Sequence, residues 1–148
     1  DVVVVSDQAA GTVDLYFLMT DGSKPPAQMI TDLENYLRDN NIRPMTDLVR
    51  VAAPAEVEYS INLTYYINRS DSNRAVDIQG TVAAAVAQYT AWQRAIGRDI
   101  NPDKLRELVM AAGAKRVTMT APAYQTVGAK SVAVLTGQTV QYGGLEDD

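Results

Sequence analysis

Carboxylates are the side chains in this sequence best suited to acid–base chemistry, and Asp14, Asp32, Glu34, Asp47, Glu56, Glu58, Asp71 and Asp77 are the candidates. There is no cysteine and no histidine. Their absence removes disulfides, zinc-finger ligation, thiol nucleophiles and histidine-based triads, together with the side chain that most often moves protons near neutral pH. Paired general acid and base catalysis needs two carboxyl groups brought into one cleft in environments that separate their pKa values. Local pattern puts all eight on wet strand faces, helix caps or turns, where solvated surface is the default. Asp71-x-Asn73 lacks the glycine and closing glutamate of a calcium loop. Neither Gly97-Arg98-Asp99 nor Gly143-Gly144 stands between a strand and a helix as a phosphate loop must. The expectation is therefore no catalytic residue, no metal ligand and no cofactor site.

Charge narrows the partners. The formal net charge is −5, and an acidic surface repels phosphate backbones, so nucleic acid is disfavoured. Arg43 and Arg50 are too few to argue for a basic patch. An apolar share of 47% over 148 residues fits one globular domain with a sizeable core. No apolar run is long enough to cross a bilayer and no signal-peptide pattern opens the chain, so no membrane contact is expected. Beginning at Asp1 without methionine, the chain is expected to be a piece of something longer.

The elements that position these groups follow from periodicity. Val2–Val5 reads as an extra edge strand or linker within residues 1–10. Val13, Leu15, Phe17 and Met19 alternate with Asp14, Tyr16, Leu18 and Thr20, the period of a strand. After the Asp21-Gly22-Ser23 turn, Pro25-Pro26 opens an amphipathic helix over about residues 25–40, closed by Asn40-Asn41. Strands follow at 48–53 and 57–67. The second is apolar at Val57, Tyr59, Ile61, Leu63, Tyr65 and Ile67 and polar between. Asp71 or Ser72 can cap a long Ala-rich helix, with Ile78, Val82, Ala85, Val86, Tyr89, Trp92 and Ile96 on its apolar stripe and Gly97 ending it. Asn101-Pro102 opens a shorter helix closed by Gly113. Strands at 115–121 and 131–136, a short edge piece at Thr139–Tyr142, and a frayed tail at 143–148 complete the chain.

One pattern occurs twice. Val49-Arg50-Val51-Ala52-Ala53-Pro54 is echoed by Val117-Thr118-Met119-Thr120-Ala121-Pro122, and a strand follows each Ala-Pro break. Strand–helix–strand, strand–helix–helix–strand, strand is the order of a duplicated split β-α-β. The expected fold is an α+β two-layer sandwich, ferredoxin-like, with helices on one face of a mostly antiparallel sheet and residues 1–148 forming a single domain. In that plan the first and third core strands are central neighbours, so Tyr16, Leu18 and Tyr66 share the helix-free face. Either a protein partner, or the Val2–Val5 segment or a loop of the chain itself, covers that patch; an RNA platform is opposed by the charge and by the lack of flanking Lys and Arg. Trp92, the sole tryptophan, packs in the core or anchors a partner from the helix end. Tyr16, Leu18, Tyr66 and Trp92 are the candidate contact residues.

Gly11-Thr12-Val13-Asp14-Leu15-Tyr16-Phe17-Leu18 with Asp21-Gly22 is similar to the G-x-V-x-V-Y opening of the C-terminal region of the baseplate J-like protein family. Arg43-Pro44-Met45-Thr46-Asp47-x-Val49-x-Val51-x-Ala53-Pro54, Gly97-Arg98-Asp99-Ile100 and Leu105…Gly113-Ala114-x-x-Val117…Pro122 match its later stretches in order and spacing. Ala114 stands where the family often has valine. The resemblance implies a structural component of the baseplate wedge in a contractile phage tail, prophage or phage-like injection device. It would contact other wedge subunits and copies of itself, be assembled in the bacterial cytoplasm, and carry no catalytic residues; the isolated fragment is expected to be monomeric. The alternative reading is a ferredoxin-like regulatory domain that binds a small molecule.

Overall fold

A computed structural model describes residues 1–7, 11–39 and 48–148. Asn40-Asn41 and Arg43 to Asp47, to which helix-ending, charge, carboxylate and family-motif expectations attach, lie outside the described residues. The fold is α+β. Its strands form two three-stranded sheets. In the first, β1 (Val2–Asp7) runs antiparallel to β2 (Thr12–Phe17), and β2 runs parallel to β3 (Leu48–Ala52) after a crossover through α1 (Ala27–Arg38). In the second, β4 (Ala55–Asn68) is central, antiparallel to β5 (Arg116–Ala121) and parallel to β6 (Ser131–Glu146). A 3-10 stretch (Arg69–Arg74), α2 (Ala75–Gln93) and α3 (Pro102–Ala111) connect β4 to β5.

The ferredoxin-like plan is corrected at this point. Its central pair would be β2 and β4, yet these strands belong to different sheets. Tyr16 and Leu18 therefore do not share a sheet face with Tyr66. The cause is the first Ala-Pro break. Pro54 is buried and cannot donate to a ladder, so β3 stops there and the chain re-enters as β4 of a second sheet. The two strands that follow the Ala-Pro breaks end up side by side, with Ala55 opposite Ser131.

The core lies in the second sheet. Tyr59, Ile61, Leu63, Tyr65 and Ile67 of β4 are buried in strict alternation beneath α2 and α3, which contribute Ile78, Val82, Val86, Tyr89, Leu105 and Val109. The first half buries far less. Among its described residues the buried apolar ones are Leu18, Pro25, Val49 and Val51, α1 buries none of its side chains, and Val2 and Val4 remain about 60% exposed.

Three further boundaries differ from expectation. Helix α2 ends at Gln93, before Gly97: the backbone leaves helical conformation at Arg94, and Arg98 Nη1 donates to the Trp92 carbonyl, one of those the last turn leaves open. The helix is approached through the 3-10 stretch, whose cap is Asn68, accepting from Ser70 N at 3.1 Å, and not Asp71 or Ser72. Strand β6 is a single strand of 16 residues running to Glu146, where two short pieces and a tail were expected. Pairing along β4 carries it past Gly137 and Gly143, with register shifts that absorb the mismatch.

Candidate interaction surfaces

Each candidate contact residue already has neighbours within the chain. Tyr66 lies on the outer face of β4, opposite Arg116 of β5 in register. The Arg116 guanidinium stacks on its ring at 3.7 Å and reaches Glu146 of β6 at 2.5 and 2.8 Å, so one cation ties all three strands. Hydrogen bonding to Glu146 raises the Arg116 pKa, and the same bond holds the Glu146 carboxyl below its usual range. The C-terminal residues are gathered to this corner, with Arg69 Nε on Asp147 Oδ1 at 2.8 Å and Lys115 near Asp148 at 3.8 Å.

Gly143 makes room for the tyrosine. A Cβ built there would stand 2.4 Å from Tyr66 Cε1 and 2.9 Å from Thr64 Cγ2, well inside contact distance. Gly143→Ala is expected to cost about 1–2 kcal/mol by overpacking. Much of that loss should vanish in the Tyr66→Ala background. A double-mutant cycle by urea unfolding measures it, with a coupling of about 0.5–1 kcal/mol expected.

Trp92 is half-buried at the end of α2, its ring 6.1 Å from Tyr89, with Arg98 over it at 4.3 Å and Lys104 Nζ at 5.7 Å. Tyr16 is half-buried on β2, with Lys130 Nζ 5.8 Å from its ring. Beside it Asp14 is buried and held by Arg50, its register partner on β3, through two bonds of 2.7 and 3.0 Å. Leu18 is 4% exposed and packs inside.

Of the candidate carboxylates, four more are engaged in the same way. Glu34 pairs with Arg38, Glu56 with Lys24 and Asp71 with Arg74, while Asp32 accepts from Gln28 Nε2. Among the described residues no cluster of three or more acidic side chains could hold a metal ion. Two residues that periodicity did not single out organise the loops. Gln93, fully buried, is bonded to Tyr89, Asn101, Arg98 and Asp99. Asp99 accepts from Val127 N at 2.8 Å and from the Tyr124 hydroxyl at 2.7 Å, fastening the 122–130 loop.

Those two bonds, the backbone one foremost, hold the Asp99 carboxyl below its usual range. A carboxylate depressed on folding contributes stability that is complete above its unfolded pKa and lost as pH falls through the folded value. Asp99 and Glu146 should therefore leave the thermal midpoint flat from neutral pH down to about pH 5 and erode it below about pH 4. Circular dichroism melts across that range check this, and Asp99→Asn should give a shallower acid slope.

Comparison with known proteins adds two halves of one family. Residues 59–142 match the baseplate J-like protein C-terminal domain, and residues 1–53 match the baseplate J-like central domain. The division falls at the Ala-Pro break, where the chain passes from one sheet to the other. Among curated relatives, "Baseplate protein J" of Escherichia phage P2 is 27% identical over 120 residues, which is 80% of this chain and 39% of the relative. With more than half of its residues in the C-terminal domain match alone, the chain belongs to the baseplate J-like family.

Proposed function

We propose that this chain is part of a structural subunit of a phage tail baseplate, a wedge component of a contractile tail or phage-like injection device that works by protein–protein contact and is not an enzyme. The observation that carries the reading is the pair of consecutive family matches, central domain then C-terminal domain. The local chemistry supports it, since the carboxylates of Asp14, Glu34, Glu56 and Asp71 are spent on neighbouring cations. The partners are other wedge subunits and copies of itself, with no nucleic acid and no membrane. The subunit is assembled in the bacterial cytoplasm and ends in the tail baseplate; alone, the fragment is monomeric.

Contacts are assigned to aromatic rings capped by cations. Tyr66 with Arg116 and Trp92 with Arg98 present amphipathic surface of the kind that anchors interfaces. Tyr16 with Lys130 makes a third such site, and Leu18 contributes by packing from within. The test is complementation. A phage or particle lacking the gene should give tails without complete baseplates in electron micrographs. The full-length protein should restore them, and the Tyr66→Ala, Trp92→Ala double variant should fold but restore few. Complete baseplates in the absence of the gene would refute the assignment. Full restoration by the double variant would remove the contact residues from it.

A further inference from the structure

The outer edge of β3 and the start of the outer edge of β6 are closed by groups from elsewhere in the chain. On β3, Leu48 N donates to the Gly11 carbonyl at 2.8 Å, so in this parallel pair the backbone groups of Val49 and Val51 turn outward. Helix α1 meets them: Arg38 Nε donates to the Val49 carbonyl at 2.8 Å, and Val51 N donates to Glu34 Oε1 at 3.4 Å. On β6, the Lys130 carbonyl accepts from Ala55 N, so the outward carbonyls are those of Ser131 and Ala133. They accept from Gly97 N at 2.8 Å and from Arg94 Nη1 at 3.1 Å. The edge of β1 differs. Leu18 N donates to the Asp1 carbonyl at 2.8 Å and Asp1 N to the Leu18 carbonyl at 3.4 Å, which fixes the alternation along the antiparallel pair. Val3 and Val5 bond toward β2, and the N–H and C=O groups of Val2 and Val4 turn away from it. Among the described residues nothing bonds to those outward groups, and the two side chains are 60% and 59% exposed.

We propose that the open β1 edge pairs with the same edge of a second copy of this chain, antiparallel, about a twofold axis at Val3. The inference rests on the reading that copies of the subunit contact one another, and names the contact. Outward N–H and C=O groups at strand spacing are matched in full by another strand. Sheets that must stay unpaired guard such an edge with charge, proline or a covering element, as α1 guards β3. Val2-Val3-Val4-Val5 carries neither charge nor proline and has the residue type that paired strands favour. An identical strand suits this edge because antiparallel self-pairing is isologous, so the same groups serve on both sides. In the register centred on Val3, Val2 of each copy exchanges both bonds with Val4 of the other. A register centred on Val4 also aligns outward groups, but it sets Asp1 against Asp7 of the other copy, and like charges directly opposite are destabilising. So short an edge buries far less than the roughly 1,200–2,000 Å² of a stable interface. The isolated chain is therefore monomeric at micromolar concentration, and the pairing acts where a particle holds copies side by side.

The test is disulfide trapping, which a chain without cysteine reports cleanly. In the proposed register Val3 stands opposite itself at a non-hydrogen-bonded position, with Cα atoms about 4.5 Å apart, within the range a disulfide spans. At millimolar concentration under a mild oxidant, Val3→Cys should form the covalent dimer at least about fivefold faster than Val76→Cys, the difference between a held pair and random collision. Val76 lies on α2 and is 81% exposed, so it measures collision alone. Val2→Cys should be no faster than that control, because Val2 faces Val4. Adding Val4→Pro to Val3→Cys removes an N–H that β2 does not use; the thermal midpoint should hold and the rate advantage should disappear. Val4→Lys in the same background should do likewise. The pairing is overturned if Val3→Cys is no faster than Val76→Cys, if Val2→Cys equals Val3→Cys, or if both Val4 changes leave the rate as it was. The isolated chain is used throughout, so such a failure leaves the outcome of particle complementation untouched and the two readings separable.

Discussion

Gln93→Leu is expected to lower the unfolding free energy by about 2–3 kcal/mol, as much as many large-to-small changes in an apolar core. Gln93 is fully buried, and its amide is saturated from both ends. Oε1 accepts from the Tyr89 hydroxyl at 2.9 Å and from Asn101 N at 3.1 Å; Nε2 donates to the carbonyls of Asp99 at 2.9 Å and Arg98 at 3.3 Å. Leucine fills much the same volume and gains apolar burial of about 1–2 kcal/mol. It strands a hydroxyl, an N–H and two carbonyls, each costing about 1 kcal/mol or more when dry, so the polar loss wins. Urea unfolding should show a lower midpoint with the slope unchanged, since the same surface is exposed. Gln93→Glu separates polarity from hydrogen-bond direction. It keeps the acceptor toward Tyr89 and Asn101 but turns a second oxygen on two carbonyls. Its folded-state pKa is then raised, so its deficit should be greatest at pH 8 and shrink as the pH falls toward 4 and the carboxyl protonates. A deficit that does not change with pH would show that the donor to Arg98 and Asp99 is not what matters.

That residue also marks where reading by pattern stopped. The stripe Ile78, Val82, Val86, Tyr89 continues in phase to position 93, and the structure buries it. Preference for apolar type pointed to Trp92 and Ile96, which are half-buried. Phase was the better guide, because the α2 end needed an amide to connect it to the next loop. The three helices and the alternation of β4 were legible, since each carries its own period. Strand β6 was not. Thr136 to Tyr142 has modest strand character by itself, and Gly143-Gly144 argues against one; it is a strand because β4 lies alongside. The partition into two sheets was hidden for the same reason. Alternation says which face of a strand is buried, while the choice of neighbouring strand is a tertiary matter decided here around Pro54. The contact of Tyr66 with Arg116 needed the β4–β5 register, which no local motif carries.

Residues 54–148 expressed alone should fold, with a cooperative melt close to that of the full chain, whereas residues 1–53 alone should remain unfolded. The core cluster lies entirely between Tyr59 and Ala133, built by β4 with α2 and α3. A segment of about 50 residues is marginal even with a good core, and the first half buries as apolar side chains only Leu18, Pro25, Val49 and Val51 among its described residues. What joins the halves is mainly polar and peripheral: Lys24 to Glu56 at 3.0 Å, Lys130 to Asp14 at 3.9 Å, and Arg94 to the Gly22 carbonyl at 2.8 Å. The Lys24–Glu56 pair is half-exposed and the Lys130–Asp14 pair is long, so each contributes little. They suffice to seat a small sheet on a larger folded body, and the entropy of ordering that sheet is then met partly by the surface it covers, Leu18 included. The full chain is accordingly proposed to behave as a single domain in which residues 55–146 form the stable body and the first sheet folds upon it. Calorimetry of the three species decides the matter. One transition for the full chain, a near-equal midpoint for 54–148, and no transition for 1–53 are expected. A cooperative melt of 1–53 alone would show that the first sheet carries its own stability and that the chain is two domains.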